Sequence, residues 1–229
     1  MLKLYIGNKN YSSWSMRPWV LLKQCGIEFE EVMVRFGDEI SSVNSSFKQT
    51  VMVVNPAGRV PVLVDDALTV WDTLAIAEYV AEKFNGKQLW PQSVAARARA
   101  RSVCAEMHSG FTSLRSACPM NIEAALPDVG AIIWRDKPGV RADVARIVDM
   151  WTELLAQHNG PMLFGKFSVA DAYFAPVCMR LRGYALPVPA HISQYIQRVC
   201  ALPGAQAWIS GALAEKDFVI FDEPYRSHR

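Results

Sequence analysis

The stretch NPAGRVPVLVDDALTVWDTLAI, residues 55–76, carries the pattern that decides the fold of this 229-residue chain. Runs rich in β-forming residues occupy 60–64 and 68–71, and the short polar break between them predicts a β-hairpin. Asp72 can cap a following helix, because a carboxylate accepts hydrogen bonds from the free N–H groups of a first helical turn. Apolar residues then recur at helical spacing over 74–84, so a helix is predicted directly after the hairpin.

Pro61 opens the first strand of this hairpin, where its missing N–H removes no hydrogen bond from the sheet. X-Pro bonds are the peptide bonds in which the cis form is cheap. A cis bond would turn the Val60 backbone outward, so that its N–H and C=O can pair with a peptide-like ligand. At the start of the next helix, Thr73 can hold a carboxylate and Asp72 an ammonium group, or both can act simply as caps.

The residues before this stretch alternate between strand and helix patterns. Residues 2–6 predict a strand, a helix is expected to start near Ser15 with Pro18 in its first turn, and 29–36 predict a second strand. Residues 40–50 are polar and rich in serine, which predicts a loop or a weak helix. The resulting order, β-α-β-loop-β-β-α, predicts an α/β fold for this part of the chain.

The rest of the chain reads almost entirely as helix. Ser168 and Asp171 have the spacing of a capping box at the start of one helix. Two domains are therefore expected: an α/β domain over 1–85 and an all-α helical domain over 94–229, joined by a linker at 86–93. Within the second domain, proline and glycine breakers separate periodic segments at 94–116, 140–158, 168–182, 192–201 and 205–213.

Composition and charge exclude several classes of protein. Hydrophobic residues make up 51% of the chain and charged residues 20%, which is typical of a globular protein and excludes a mainly disordered one. With 24 basic and 22 acidic residues, the charge is too balanced for general nucleic-acid binding. No apolar run reaches the ~20 residues of a membrane span. Five scattered cysteines form no CxxC pair and no zinc-ligand spacing, so we expect reduced thiols, no metal and a cytoplasmic location.

Hydroxyl side chains cluster in the turn between the first strand and the first helix, Tyr11-Ser12-Ser13-Trp14-Ser15-Met16-Arg17. Hydroxyls at this place face the unpaired N–H groups and the positive end of the helix dipole, which together favour an anion such as a thiolate. The alternative is that these serines only cap the helix. No Gly-x-Ser-x-Gly motif is present and no histidine is placed beside the serines, so a hydrolase triad is not predicted.

Together these motifs resemble those of the cytosolic glutathione transferases, and the resemblance covers essentially the whole chain. It rests on four pieces in the family's order: Ser-Ser-x-Ser-x-Arg at 12–17, Asn-Pro-x-Gly at 55–58 with the Val-Pro-Val-Leu strand, Asp-Thr-Leu-Ala-Ile at 72–76, and Gly-x-x-Ser-x-Ala-Asp at 165–171. The first piece is similar to the serine-type zeta class. The resemblance implies a thioredoxin-like N-terminal domain, an all-helical C-terminal domain, and a homodimer.

For the thiol, the resemblance implies that Ser12 or Ser13 donates a hydrogen bond to the glutathione sulfur. The zeta pattern favours Ser12, whereas counting back from Arg17 favours Ser13. Arg17 itself is expected to support the fold or the contact between domains. Trp14 occupies the position that the zeta motif fills with cysteine, which weighs against a zeta-type isomerase.

For the rest of the glutathione molecule, the resemblance implies three further contacts. The Val60 backbone would pair with the cysteinyl residue, beside a cis Pro61. Asp72 and Thr73 would hold the γ-glutamyl end. The partner of the glycyl carboxylate stays open among Lys48, Gln49 and Arg59.

The pocket for the second substrate is expected between the domains, with Trp14 on one side and the first long helix on the other. The residues proposed from that helix are Met107, His108, Phe111 and Arg115. Met107 and Phe111 share helical spacing, so packing in the core is the alternative for them, and His108 can be a surface residue. Arg115 can meet an anionic substrate.

The resulting hypothesis is a glutathione transferase that uses glutathione as co-substrate. It would ionise the thiol for addition to a small electrophile, as in detoxification, or for an isomerisation or dehalogenation. The main alternative is a non-catalytic ligand-binding or interaction protein on the same scaffold. A thiol oxidoreductase using Cys25 is a weaker alternative, because Cys25 lies near the end of the first helix. Residues 218–221 are apolar, so the segment 216–229 is expected to dock on the protein.

Overall fold

The computed structural model describes residues 1–37, 42 and 44–229. In this part of the chain, the strands β1 Leu2–Ile6, β2 Glu30–Met33, β3 Val62–Asp65 and β4 Leu68–Val70 form a sheet in the order β2-β1-β3-β4. β1 is parallel to β2 and antiparallel to β3, and β3 is antiparallel to β4. The helices are α1 Ser13–Gln24, α2 Ser46–Met52, α3 Thr73–Lys83, α4 Val94–Ser109, α5 Thr112–Ala117, α6 Pro127–Asp136, α7 Pro138–His158, α8 Val169–Gly183, α9 Ala190–Ala201 and α10 Pro203–Glu215.

This order of elements confirms the predicted fold class. The sheet with α1 to α3 forms the α/β, thioredoxin-like part, and α4 to α10 form the all-helical part. Short 3₁₀ turns at Asn85–Lys87 and Ile220–Asp222 complete the regular structure of the described residues. The loop or weak helix predicted at 40–50 lies partly outside those residues, and α2 occupies the end of that stretch. Among the residues described, no helix has both the length and the apolar character that crossing a bilayer requires.

The first helix starts earlier than predicted, and this shift has a consequence for the site. α1 begins at Ser13, so Pro18 lies in its second turn rather than its first. Proline has no N–H, so position 18 cannot donate the helical hydrogen bond that the Trp14 carbonyl oxygen would otherwise accept. The Thr73 hydroxyl donates to that carbonyl oxygen instead, at 3.4 Å. The start of α3 is thereby tied to the first turn of α1.

The single helix predicted over 94–116 was wrong, because the chain breaks at Gly110. A Cβ on Gly110 would lie 2.7 Å from the Glu106 carbonyl oxygen, so a side chain does not fit there. The next residue, Phe111, has a left-handed backbone with φ +55°, and α5 starts after it. The Arg115 guanidinium donates through Nη1 to the carbonyl oxygens of His108 and Gly110, at 3.2 and 3.3 Å, and closes the end of α4.

Sequence reasoning missed α6 altogether. Pro127 lies between the predicted segments 94–116 and 140–158, where a proline is expected to break a helix, but proline at the first position of a helix loses no hydrogen bond and favours helix initiation. Gly130 within α6 lies against the Tyr184 carbonyl oxygen, where a Cβ would come within 1.7 Å. This close approach explains why a glycine is accommodated in the middle of the helix.

α1 joins the two parts of the chain. It packs against α3 on the sheet side and against α8 and α10 of the helical part. Its Arg17 guanidinium is buried, donates through Nε to the Tyr173 carbonyl oxygen at 3.0 Å, and stacks over the Trp14 and Tyr173 rings. Arg17 therefore makes the contact between the two parts that was expected of it. Burial lowers the pKa of Arg17 to about 9.

The capping box at the start of α8 is present. Ser168 accepts from the Ala170 N–H, and the Asp171 carboxylate accepts from the N–H groups of Leu163 and Ser168 and from the Tyr195 hydroxyl, at 2.9–3.0 Å. Asp171 is fully buried, and burial raises its pKa to about 6 even though the hydrogen bonds oppose that shift.

Replacing Asp171 by Asn should lower the free energy of unfolding at pH 7 by about 2–4 kcal/mol, because one amide oxygen cannot accept all of these hydrogen bonds. Between pH 6 and about 4, native Asp171 binds a proton that the unfolded chain does not. The native chain therefore gains stability there, and the gap to Asp171→Asn should widen as the pH falls. Urea unfolding measures both effects. Asp136→Asn, at an exposed ion pair, is the control, and equal stability of the two variants would contradict the assignment.

Candidate active site

Two adjoining cavities lie where the sheet domain meets the helical part. The larger has a volume of about 530 Å³ and the smaller about 460 Å³. They share a wall formed by Trp14, Arg59, Val60 and Arg115. The larger is lined further by Ser12 and Ser13, and the smaller by Pro61, Asp72, Thr73 and His108. The structure thus brings ten of the twelve residues proposed from the sequence to one cleft.

The other two, Met107 and Phe111, do not line this cleft. Met107 is fully buried in the core and Phe111 is 7% exposed. Their helical spacing marks the core-facing side of α4, and placing them in the substrate pocket was wrong. His108, one position along, faces the cleft instead.

The backbone before β3 has the expected form. The Val60–Pro61 peptide bond is cis, as is the Trp71–Asp72 bond at the start of α3. Val60 lines both cavities, and Asn55 supports the approach to it by donating from its side-chain amide to the Arg59 carbonyl oxygen at 2.8 Å.

At the start of α3, a hydrogen-bonded chain connects the two parts of the protein. One Asp72 oxygen caps α3 by accepting from the Leu74 N–H at 3.2 Å. The other lies 3.2 Å from His108 Nε2, and His108 Nδ1 lies 2.9 Å from the Tyr173 hydroxyl. Burial raises the pKa of Tyr173, so this hydroxyl keeps its proton. The tautomer that satisfies both contacts has Nε2–H donating to Asp72 and Nδ1 accepting from Tyr173.

The two serines of the first turn have different surroundings. Ser12 Oγ is 2.7 Å from Ser15 Oγ, which also accepts from the Gly7 N–H at 3.2 Å. Ser13 Oγ accepts instead from Arg180 Nη2 at 3.3 Å. Because Ser13 accepts this bond, its own hydroxyl proton is free to point into the cavity.

Sequence reasoning did not find Arg180. It lies on α8, is 6% exposed, and lines the larger cavity. Besides Ser13, it donates to the carbonyl oxygens of Cys118 and Pro176, at 2.9 and 3.3 Å. Burial lowers its pKa to about 10, so the guanidinium stays charged at neutral pH. The sequence does place this arginine within the largely apolar run of α8, which is unusual for a charged residue. No residue near it in sequence indicates that it contacts Ser13.

A further wall of the larger cavity comes from residues 217–226, which dock as predicted. Tyr11 donates its hydroxyl to Glu223 at 2.7 Å and accepts from the Val219 N–H at 3.3 Å. Phe221 and Asp222 of this segment line the cavity. Burial and the bond to Glu223 raise the pKa of Tyr11 to about 12, so Tyr11 is committed to holding the segment.

Cys25, by contrast, lies outside both cavities, at the C-terminal end of α1. Burial raises the pKa of its thiol to about 11. A reactive thiolate needs the opposite shift, which argues against an oxidoreductase built on Cys25.

The chain matches two family models. The model described as the N-terminal domain of glutathione S-transferase matches residues 11–83, and the model for its C-terminal domain matches 94–211. These matches cover most of the chain, which therefore belongs to the glutathione S-transferase family.

A solved structure and several curated relatives support this membership. A glutathione transferase homologue from Burkholderia gl BGR1, solved with bound glutathione, has a TM-score of 0.67 and 25% identity, covering 93% of this chain and 98% of that one. Glutathione S-transferase 1 of Dianthus caryophyllus is 26% identical over 177 residues, 76% of this chain and 75% of that protein. The probable maleylacetoacetate isomerase of Caenorhabditis elegans is 28% identical over 180 residues, 76% of each.

A dichloromethane dehalogenase of Methylorubrum extorquens is 42% identical over 64 residues. These residues make up 28% of this chain and only 21% of the dehalogenase. The similarity is therefore local.

Tyr11→Phe should loosen residues 217–226, because it removes the hydroxyl that bonds Glu223 and Val219. Losing such a bond costs about 1 kcal/mol, so backbone amides of this segment should exchange with deuterium about fivefold faster. Tyr5→Phe, on β1, provides the matched control. Unchanged exchange in Tyr11→Phe would show that other contacts hold the segment.

Proposed function

We propose that this protein is a catalytic glutathione transferase that ionises the glutathione thiol in this cleft and transfers the sulfur to a small electrophile. The observation that carries the proposal is the convergence of Ser12, Ser13 and the charged Arg180 at the N-terminus of α1, beside Val60 and the start of α3. Hydroxyl donors, a helix N-terminus and a guanidinium all stabilise an anion at one point.

The energies required are within reach of these groups. Lowering the pKa of a thiol from ~8.5 to about 6.5 requires ~2.7 kcal/mol. A hydrogen bond to an ionised group contributes ~1.5–3 kcal/mol, and a helix N-terminus a further ~0.3–1 kcal/mol. One serine hydroxyl with the dipole of α1 therefore suffices. The positive charge of Arg180 would stabilise the thiolate in addition to the serine hydroxyl and the dipole.

Between the two serines, we assign the sulfur contact to Ser13. Its hydroxyl accepts from Arg180, and accepting a charged donor strengthens the bond that the same hydroxyl donates. Ser12 donates its hydroxyl proton to Ser15 Oγ, so its role is to support the turn.

Ser13→Ala should raise the pKa of the bound thiol and lower kcat/KM with an activated aryl chloride about 10- to 100-fold. The dissociation constant of glutathione should change less than about threefold, because the rest of the molecule is held elsewhere. Steady-state kinetics and the ultraviolet band of the thiolate across pH measure these effects, and Ser109→Ala, at an exposed position of α4, is the control.

Two outcomes would overturn the proposal in different ways. Full activity of the Ser12→Ala, Ser13→Ala double variant would refute the serine assignment. Saturable binding of glutathione without a thiolate band or turnover would favour the non-catalytic ligand-binding protein.

The remaining contacts with glutathione follow from the neighbouring segments. Thr73 and the N-terminus of α3 would hold the γ-glutamyl carboxylate, and Asp72, oriented by His108, would face the α-ammonium group. The Val60 backbone would pair with the cysteinyl residue. Of the three candidates for the glycyl carboxylate, Lys48 and Arg59 line the larger cavity, whereas Gln49 is exposed and does not line it.

Asp72→Asn should weaken binding of glutathione about fivefold, because a charge-assisted contact with the α-ammonium is lost. Binding of the analogue that lacks only the α-amino group should not change. Isothermal titration of both ligands measures this difference, and Asp66→Asn, in the β3–β4 turn, is the control. An equal loss for both ligands would mean that Asp72 acts only as the cap of α3.

The electrophile, the cytoplasmic location and the homodimer remain predictions. Named relatives act in dehalogenation and isomerisation, but the first resembles this chain locally and the second at 28% identity. Light scattering of the purified protein tests the dimer.

A further inference from the structure

We infer that the electrophile carries a carboxylate or a similar anionic group, which the Arg115 guanidinium binds in the larger cavity. The inference rests on the proposed function, because it concerns the second substrate of the same cleft. It is carried by the charges of the cavity wall and by the unused donors of Arg115.

The wall of the larger cavity carries an excess of positive charge. Its cationic side chains are Lys48, Arg59, Arg115 and Arg180, whereas Asp222 is the one acidic side chain on it among the residues described. Within that part of the chain, none of these four cations lies within 4 Å of a carboxylate. A half-enclosed cleft lined by one sign of charge concentrates ligands of the opposite sign.

Three arginines elsewhere in the protein pair with acids. Arg101 bonds Glu78, Arg146 bonds Glu106, and Arg226 bonds Glu223. A buried guanidinium without a counter-ion is costly. Arg17 and Arg180, which are buried, offset this cost by donating to backbone carbonyl oxygens. Arg115 is half-buried, and part of its guanidinium is left for an anion that arrives with the ligands.

Glutathione accounts for only part of this charge. Its γ-glutamyl carboxylate is assigned to the start of α3, its glycyl carboxylate to Lys48 or Arg59, and its thiolate to Ser13 with Arg180 behind it. Arg115, on α5 of the helical part, is left without an anion.

The geometry of Arg115 suits a carboxylate. In the described structure its protein hydrogen bonds use Nη1 alone, to the carbonyl oxygens of His108 and Gly110. Nε and Nη2 are left for a ligand, and these two atoms form the edge that binds a carboxylate with two parallel hydrogen bonds. The guanidinium also lies over Trp14, with Cζ 4.9 Å from the ring centre, at the wall shared by both cavities.

Apolar side chains surround this charge. Trp14, Phe36, Met120 and Phe221 line the same cavity and can cover the body of a small aromatic or unsaturated molecule. The arrangement therefore fits an aromatic or alkenyl acid whose reactive carbon lies towards Ser13 and whose carboxylate lies towards Arg115.

A chloronitrobenzoate illustrates the chemistry. The glutathione thiol loses its proton to solvent, and the thiolate sulfur forms a bond to the ring carbon that bears chlorine. That carbon–chlorine bond breaks, and chloride leaves with the electron pair. The carboxylate takes no part in the reaction and serves only for recognition.

The test uses two conjugates of glutathione that differ in one group: S-(4-carboxy-2-nitrophenyl)glutathione and its 4-carboxamide. Isothermal titration of the full chain should give binding of the acid about tenfold tighter than that of the amide. Arg115→Gln should reduce this preference to about one by weakening the acid alone. Arg115→Lys should keep part of it, and Arg99→Gln, at an exposed ion pair of α4, should keep all of it.

The outcomes separate the two proposals. Equal binding of acid and amide by the native chain, or a preference that survives in Arg115→Gln, overturns the inference and leaves the proposed function standing. Binding of glutathione with binding of neither conjugate also overturns the inference. Failure of glutathione and both conjugates to bind overturns the proposed function itself. Circular dichroism of Arg115→Gln checks its folding, and Arg115→Lys tests the same charge if that variant does not fold.

Discussion

The burial of α1 is the constraint on which the rest of the structure depends. From Ser13 to Leu22, every residue except Trp14 is buried, and three of the buried ones are polar. Each of these forms a hydrogen bond with a group outside the helix: Ser13 with Arg180, Ser15 with the Gly7 N–H, and Arg17 with the Tyr173 carbonyl oxygen. Two of the three partners belong to α8. The first turn of α1, where the thiol site is proposed, is therefore completed by contacts from the helical part.

Much of the fold could be predicted because many of its helices and strands begin with a motif of residues that are close together in sequence. The cap at Asp72, the capping box at Ser168 and the cis-proline strand all depend on residues a few positions apart in sequence. The same holds for the hairpin and for the serine turn. Where such signals were present, both the element and its place in the site could be expected.

The errors arose where the deciding contact is distant in sequence. Gly110 ends α4 at a break that periodicity does not show, and Gly130 is required by a carbonyl of another segment. Arg180 reaches Ser13 across 167 residues of sequence, and Tyr11 holds Glu223 across 212. Met107 shows the reverse error, since helical spacing marks a buried face without saying whether a cavity or a core lies against it.

The wall contributed by residues 217–226 differs in kind from the other walls of the cleft. The serine turn, Val60 and the start of α3 belong to the framework formed by the sheet, α1 and α3. Phe221 and Asp222 are held instead by polar bonds from Tyr11 and Asn8 to their neighbours, and Phe221 remains 44% exposed. Replacing Phe221 would therefore change the shape of this wall without disturbing the sheet or α1, so under the proposed function the choice of electrophile could diverge while the binding of glutathione is kept.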